Sequence, residues 1–280
     1  MADFFEISTI EDVNLSADGY IKERWGVWFF GPLLLFAIFA VLETIYTRSP
    51  GTGNALFLAW IIGGAIVAQS KVRKEFMLQF AKTNGLQYVG CGDSAATKGN
   101  LFKKGNSTGR SVSHLVEGEK GGRRIKFFLY TYSVGSGKHK QIYNYTVCEI
   151  FFNGQAPDIV IESKSDWDFI SYAGNQQKEM PVEGFFKEYF GVYVPEDFEI
   201  ETLEIFTPDV MAYLVEHAKK YNFEFVEDRL YIFRQGFISK RAELQEFFTT
   251  ANYLVEKLAP RIFRLHDDVS AMKELRKAGV

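Results

Sequence analysis

The sequence predicts an α+β domain with mostly antiparallel strands, preceded by a two-helix transmembrane hairpin. Three observations predict it. Two uncharged apolar runs precede residue 70, a series of alternating aromatic segments is punctuated by glycine turns, and segments of helical period follow. The 280 residues are 47% hydrophobic with a net charge of −3, a globular balance that excludes a disordered or collagenous chain. Two cysteines, Cys91 and Cys148, exclude a disulfide framework or zinc cluster and point to a reducing compartment. The four histidines are scattered, with no HxxxH or HxH spacing.

The segments are expected as follows: 1–24 an N-terminal cytosolic piece, 25–70 the hairpin, 71–163 a basic helix plus β-meander. Residues 164–181 read as a loop or linker, 182–260 as an α+β C-terminal part and 261–280 as a charged tail. The first span, WGVWFFGPLLLFAIFAVLETIYT (25–47), is long enough for a hydrocarbon core that about 20 helical residues cross. Trp25, Trp28 and Tyr46 sit at its ends, where amphipathic rings prefer the interface. It starts too late and runs too long for a cleavable signal, and lacks an A-x-A exit. RSPGTGN (48–54) is a turn, and ALFLAWIIGGAIVA (55–68) is the second span. Lys22 and Arg24 flank the first span and Lys71, Arg73 and Lys74 follow the second, against Arg48 alone in the loop. That bias predicts a cytoplasmic-membrane protein with both termini inside. Glu43, near the outer end of its span, is expected to reach water rather than mark an ion path. Ala59, Gly63, Gly64 and Ala68 have small-xxx-small spacing for helix packing, within the hairpin or between copies.

Beyond residue 70, Val72, Phe76 and Phe80 continue a helix that Gly85 ends. Strands are expected at 86–89, 111–117, 123–134, 141–152 and 158–162, the last four in one meander. Phe128, Tyr130 and Tyr132 alternate on one strand and Tyr143, Tyr145 and Val147 on the next, read as sheet core rather than a base-stacking platform. A helical turn (182–190) and strands at 192–194 and 198–205 come next, with Phe198 and Ile200 inward. Thr207-Pro208-Asp209 opens a helix with Val210, Tyr213, Leu214 and His217 on its apolar face. Residues 222–235 form a hairpin about Glu227-Asp228, and Ser239 caps a final helix that Pro260 stops.

The segment 183–214, followed by NFEFVEDRLYIF (222–233), resembles a bacterial family of uncharacterised membrane-anchored proteins. The residues that carry the likeness are Phe186, Phe190, Val192 and Tyr193 (F-x-x-x-F-x-V-Y), then Phe206, Thr207, Pro208, Met211 and Leu214 (T-P-x-x-M-x-x-L). Glu201-Thr202-Leu203-Glu204 stands where the family favours Glu-Ala-Arg-Tyr. The resemblance implies a hydrophobic hairpin and a cytosolic domain, and no chemistry.

GSGK (135–138) lacks the earlier glycine and the following Ser/Thr of a phosphate loop and reads as a hairpin turn. Glu199, Glu201 and Glu204 of the 196–204 acidic cluster could line one strand face as a divalent-metal site. From residue 71 to 140 the chain carries 14 Lys/Arg against 4 Asp/Glu, a net of +10; from 141 to 280 it carries 15 against 24, a net of −9. The basic half offers Lys71, Arg73, Lys74, Lys98, Lys103, Lys104, Arg110, Arg123 and Arg124 to anionic lipid headgroups, or to the acidic half of the chain itself. The expected function is a membrane-anchored interaction or scaffold module without catalysis or cofactor. Its partners are the lipid bilayer and another membrane protein or a second copy, not nucleic acid. The alternatives are a membrane-associated metal-assisted hydrolase and a headgroup binder.

Overall fold

The computed structural model describes residue 5 and residues 21–47, 51–165, 178–182, 184–238 and 241–278. It divides into two compact units, residues 8–80 and residues 1–7 with 81–280. In the first, a π-helical turn (Ile21–Trp25) leads into α1 (Gly26–Thr47), and α2 spans Thr52–Asn84. Both have windows long and apolar enough to cross a membrane, with mean hydropathy 2.0 and 1.6. Only 11% of each window is buried, so these are not core helices of a water-soluble domain. Glu43 explains how a carboxylate is accommodated at the hairpin's end. Its two oxygens accept from Thr52 N–H (3.0 Å), Thr52 Oγ1 (3.0 Å) and Gly53 N–H (2.6 Å), satisfying donors that the first turn of α2 leaves open. The small residues divide. A Cβ on Gly64 would lie 2.1 Å from the Phe29 ring and Ala68 is fully buried, so these two serve packing inside the hairpin. Gly63 faces open space.

Helix α2 ends as the glycine predicted. Gly85 has φ +66°, and Leu86 N–H donates to Ala81 O (2.8 Å), closing the last turn. The strands are β1 (Gln87–Gly92), β2 (Ser111–Lys120), β3 (Arg123–Val134), β4 (Gln141–Phe151), β5 (Ile159–Ser163), β6 (Lys178–Glu179), β7 (Phe190–Val194), β8 (Asn222–Val226) and β9 (Arg229–Gln235). They form a nine-stranded sheet in the order β1-β2-β3-β4-β9-β8-β5-β7-β6, and every ladder between them is antiparallel. The expected meander therefore stops at β4. Strand β5 leaves it, because the β8–β9 hairpin inserts between the two and pairs with both. The basic and acidic halves are joined in this one sheet at the β3–β4 ladder. Lys178 and Glu179, read as linker, pair with β7; residues 166–177 of that linker lie outside the described residues.

One sheet face carries Phe128, Tyr130, Tyr132, Tyr145, Val147 and Phe233, all buried, with Tyr132 and Tyr143 stacked at 5.0 Å. The aromatics are thus core, and the 93–110 loop covers them with Leu101 and Phe102. The other face packs against helices: Phe127 on Phe248 (5.0 Å) and Phe225 on Phe206 (5.6 Å). Those helices are α3 (Phe186–Tyr189), α4 (Glu199–Ile205), α5 (Pro208–His217) and α6 (Arg241–Ala278).

Three expectations fail here. Residues 198–205 are not a strand but a 3-10 turn (Glu196–Phe198) followed by α4. The buried positions are Phe198, Thr202 and Ile205, a helical stripe, while Ile200 is 72% exposed. The final helix does not stop at Pro260; α6 runs through it to Ala278. Ile262, Leu265 and Val269 continue the buried stripe beyond it, and burial of that face outweighs one lost backbone hydrogen bond. The charged tail is therefore the second half of a core helix. Ser239, its expected cap, lies outside the described residues. His217, expected on the apolar face of α5, is exposed.

Candidate functional site

An apolar groove opens where α3, α4 and α5 meet. Gly184 turns the chain with φ +72° and is followed by two phenylalanines. Adjacent residues on a helix point about 100° apart, so both cannot enter the core. Phe186 goes in and stacks on Phe190 at 4.8 Å, while Phe185 is left 74% exposed. Pro181, Val182 and Tyr189 extend this wall, Leu203 and Phe206 supply the middle, and Pro208, Met211, Ala212 and Val215 form the far side. The groove holds about 940 Å³, and Glu216 lies at its lip. Helix α5 is fixed by its start: Pro208 sits at the first helical position after an extended Thr207, and Val210 and Leu214 bury completely beneath.

The motif residues of the sequence divide cleanly here. Phe186, Phe206, Pro208 and Met211 line the groove, whereas Phe190, Val192 and Leu214 support it from the core. Sequence reasoning did not single out Phe185 or the groove. The available signal was Phe185-Phe186 after a glycine, beside a helix start rich in apolar residues.

A second cluster lies on the opposite sheet face, where one transverse row reads Lys126, Glu149, Tyr231, Glu224 across β3, β4, β9 and β8. Tyr231 donates to Glu149 (2.9 Å), which also meets Arg229 at 3.1 Å. Glu224 accepts from the N–H groups of Asn100 (2.5 Å) and Leu101 (3.4 Å), and Lys98 N–H donates to the Tyr231 oxygen (3.3 Å). Gly99, with φ +116°, makes this approach possible: a Cβ there would lie 2.8 Å from the Glu224 carboxylate. Burial pushes the Glu224 carboxyl up to about 7, opposed by the two backbone donors. Burial likewise raises Glu149, against the pull of Lys126, the Tyr231 hydroxyl and Arg229. Both carboxylates are 1% exposed and held by these groups, so the row fastens the 93–110 loop to the sheet.

The lipid-headgroup set is dispersed by its partners. Lys104 is 1% exposed and cannot reach a headgroup, which corrects its place in that set. Arg110 donates to the carbonyls of Lys103, Lys104 (2.9 Å) and Gly105 (3.0 Å). Lys98 pairs with Glu227 at 2.5 Å, Arg124 lies 3.8 Å over Phe151, and Arg123 is 5.5 Å from Phe152. Lys71, Lys74 and Lys103 are exposed, and Arg73 is half-buried. Of the nine, Lys98 meets an acid of the later half of the chain, and Arg123 and Arg124 meet aromatic rings there. The metal set loses its premise with the strand. On a helix, Glu199 and Glu201 point about 200° apart, and no group of three His, Cys, Asp or Glu able to hold an ion occurs among the described residues. GSGK lies, as expected, in the turn between β3 and β4. Cys91 is exposed and free; Cys148 is buried, and burial raises its thiol.

In the hairpin unit, Ala59, Trp60, Gly63, Gly64 and Val67 of α2 face Trp25, Trp28 and Phe29 around an apolar recess of about 560 Å³. Trp60 Nε1–H donates to Phe29 O at 3.2 Å, which holds the two helices in register.

No protein-family model and no curated protein matches the chain. Among solved structures, the mycobacterial trehalose monomycolate transport factor A, TtfA, aligns with 66% of this chain and 96% of its own length. The TM-score is 0.50 and the identity 12%, so the likeness is one of fold: a mostly antiparallel sheet with helices.

Proposed function

We propose that the chain is a membrane-anchored docking module, seated in a bacterial cytoplasmic membrane with its sheet domain in the cytosol. The observation that carries this reading is the groove. Phe185 and Leu203, which line it, are 74% and 51% exposed, and a lone domain rarely leaves such apolar surface together unless something covers it. The anchoring is supported by Trp28 and Val27, 86% and 85% exposed on a helix of membrane-spanning length. Orientation follows from Lys22, Arg24, Lys71, Arg73 and Lys74 at one end of the hairpin against Arg48 at the other. The motif residues Phe186, Phe206, Pro208 and Met211, shared with the bacterial membrane-anchored family that the sequence resembles, are the ones that line the groove. A protein of similar fold is named a transport factor. Two spans are too few to enclose a path of their own, so an accessory part in a membrane process is the form this reading takes.

The test is photo-crosslinking in cells with benzoylphenylalanine at position 185, against the same probe at Ile142, exposed on β4. One discrete adduct from 185 and none from 142 is expected. Equal or absent adducts at both positions would refute a docking role for the groove.

A further inference from the structure

The groove has chemistry at its rim as well as on its floor. Between residues 178 and 217 the chain carries ten Asp/Glu against two Lys, a net of −8. Glu216 of α5 lines the groove, and Glu188 is exposed on α3, adjacent in sequence to Tyr189 of the wall. Glu204 of α4 instead meets Arg264 at 3.6 Å.

We propose that the groove receives an amphipathic helix of a partner protein whose apolar stripe is flanked by lysine or arginine. This rests on the docking reading above and adds the chemistry of the occupant. Phe186, Phe206 and Met211 form an apolar floor, and a helix presenting residues at i, i+3, i+4 and i+7 lays such a stripe into a groove of this kind. The acidic rim then meets the flanking cations, which sets orientation and speeds encounter more than it adds affinity. Phe185 on its wall is 74% exposed, so the site opens to solvent, unlike small-molecule sites that enclose most of their ligand. A fatty acid or anionic phospholipid matches the floor but brings its own negative charge to Glu216. Segments of the proposed type are common at a membrane. Cytoplasmic ends of spanning helices are rich in Lys and Arg, and anchoring two proteins in one bilayer raises their effective concentration.

The experiment uses the full-length protein in zwitterionic phosphatidylcholine nanodiscs. It is titrated with a fluorescein-labelled leucine–lysine amphipathic helix, with the same peptide carrying glutamate for lysine, and with a scrambled leucine–lysine peptide that has no apolar stripe. The lysine helix is expected to bind. Met211→Arg is expected to weaken it about tenfold or more, a loss of about 1.4 kcal/mol. Glu216→Gln is expected to weaken it several-fold and to flatten its salt dependence. Ile142→Arg, on β4, should change nothing. Equal binding of the scrambled peptide, or no effect of Met211→Arg, overturns the groove as the seat. Equal binding of the glutamate helix overturns the charge argument. A fluorescent fatty acid that binds in a Met211-dependent way, with no peptide binding, reassigns the groove to an acyl chain. The 185 crosslink separates the two levels: if it persists while the lysine helix fails to bind, docking stands and this occupant is wrong. Loss of the crosslink removes both.

Discussion

Glu224 is a buried acid moved well above its ordinary range, and it holds a loop rather than a ligand. Its carboxyl sits near 7 because burial disfavours the charge, while Asn100 and Leu101 donate to it. Its folded value lies above the unfolded one, so the native state binds the proton more tightly between about pH 4.5 and 7. This group therefore adds stability as pH falls through 7, an addition lost again as pH rises through that value. Thermal midpoints of the full-length protein from pH 5 to 8 check it. Glu224→Gln should lower the pH slope, gaining on the natural protein at pH 8 relative to pH 5; parallel curves would show that Glu224 does not titrate there. Sequence reading placed the alternating tyrosines correctly but did not foresee this acid. Alternation gives the face of a strand, and Glu224 occupies an ordinary core-facing register in NFEFV. Nothing local reveals that a loop more than a hundred residues earlier returns to it. Phe185 was equally hidden, because an exposed and a buried phenylalanine look alike until the turn at Gly184 separates them.

Among the elements, those with strong punctuation were legible. Gly85 ended α2, Thr207-Pro208 opened α5 and Glu227-Asp228 turned the β8–β9 hairpin, each through a backbone preference that acts locally. The two that were misread, α4 and the second half of α6, were decided by tertiary burial against a local cue. For α4 the cue was alternation of Glu with apolar residues, which also fits Phe198, Thr202 and Ile205 on one helical face. For α6 it was Pro260. The turn after β4 confirms that the tail belongs to the core: Gln155 N–H donates to His266 Nδ1 at 2.9 Å, and Lys273 meets Asp158 at 2.8 Å. Ile262→Ala, beyond the proline and fully buried, should cost about 2–5 kcal/mol in denaturant unfolding. A change below about 0.5 kcal/mol, the ordinary surface value, would mean that residues after Pro260 do not pack.

Across the whole molecule, a hairpin of two long apolar helices is joined in sequence to a sheet domain whose charge is divided between its halves. The sheet explains why that division does not leave two separate domains, since β3 of the basic half pairs with β4 of the acidic half. It also engages three of the nine basic residues that composition alone offered to a membrane surface, Lys98, Arg123 and Arg124. The groove between α3 and α5 is where the domain shows apolar surface under negative charge, and docking there is the central claim. The measurement that addresses it most directly is quantitative purification of the tagged full-length protein from mildly solubilised membranes, beside Met211→Arg at matched expression and unchanged circular dichroism. The account predicts one membrane protein retained in fixed stoichiometry by the natural chain and lost from the variant. Equal recovery of that protein with Met211→Arg would contradict it.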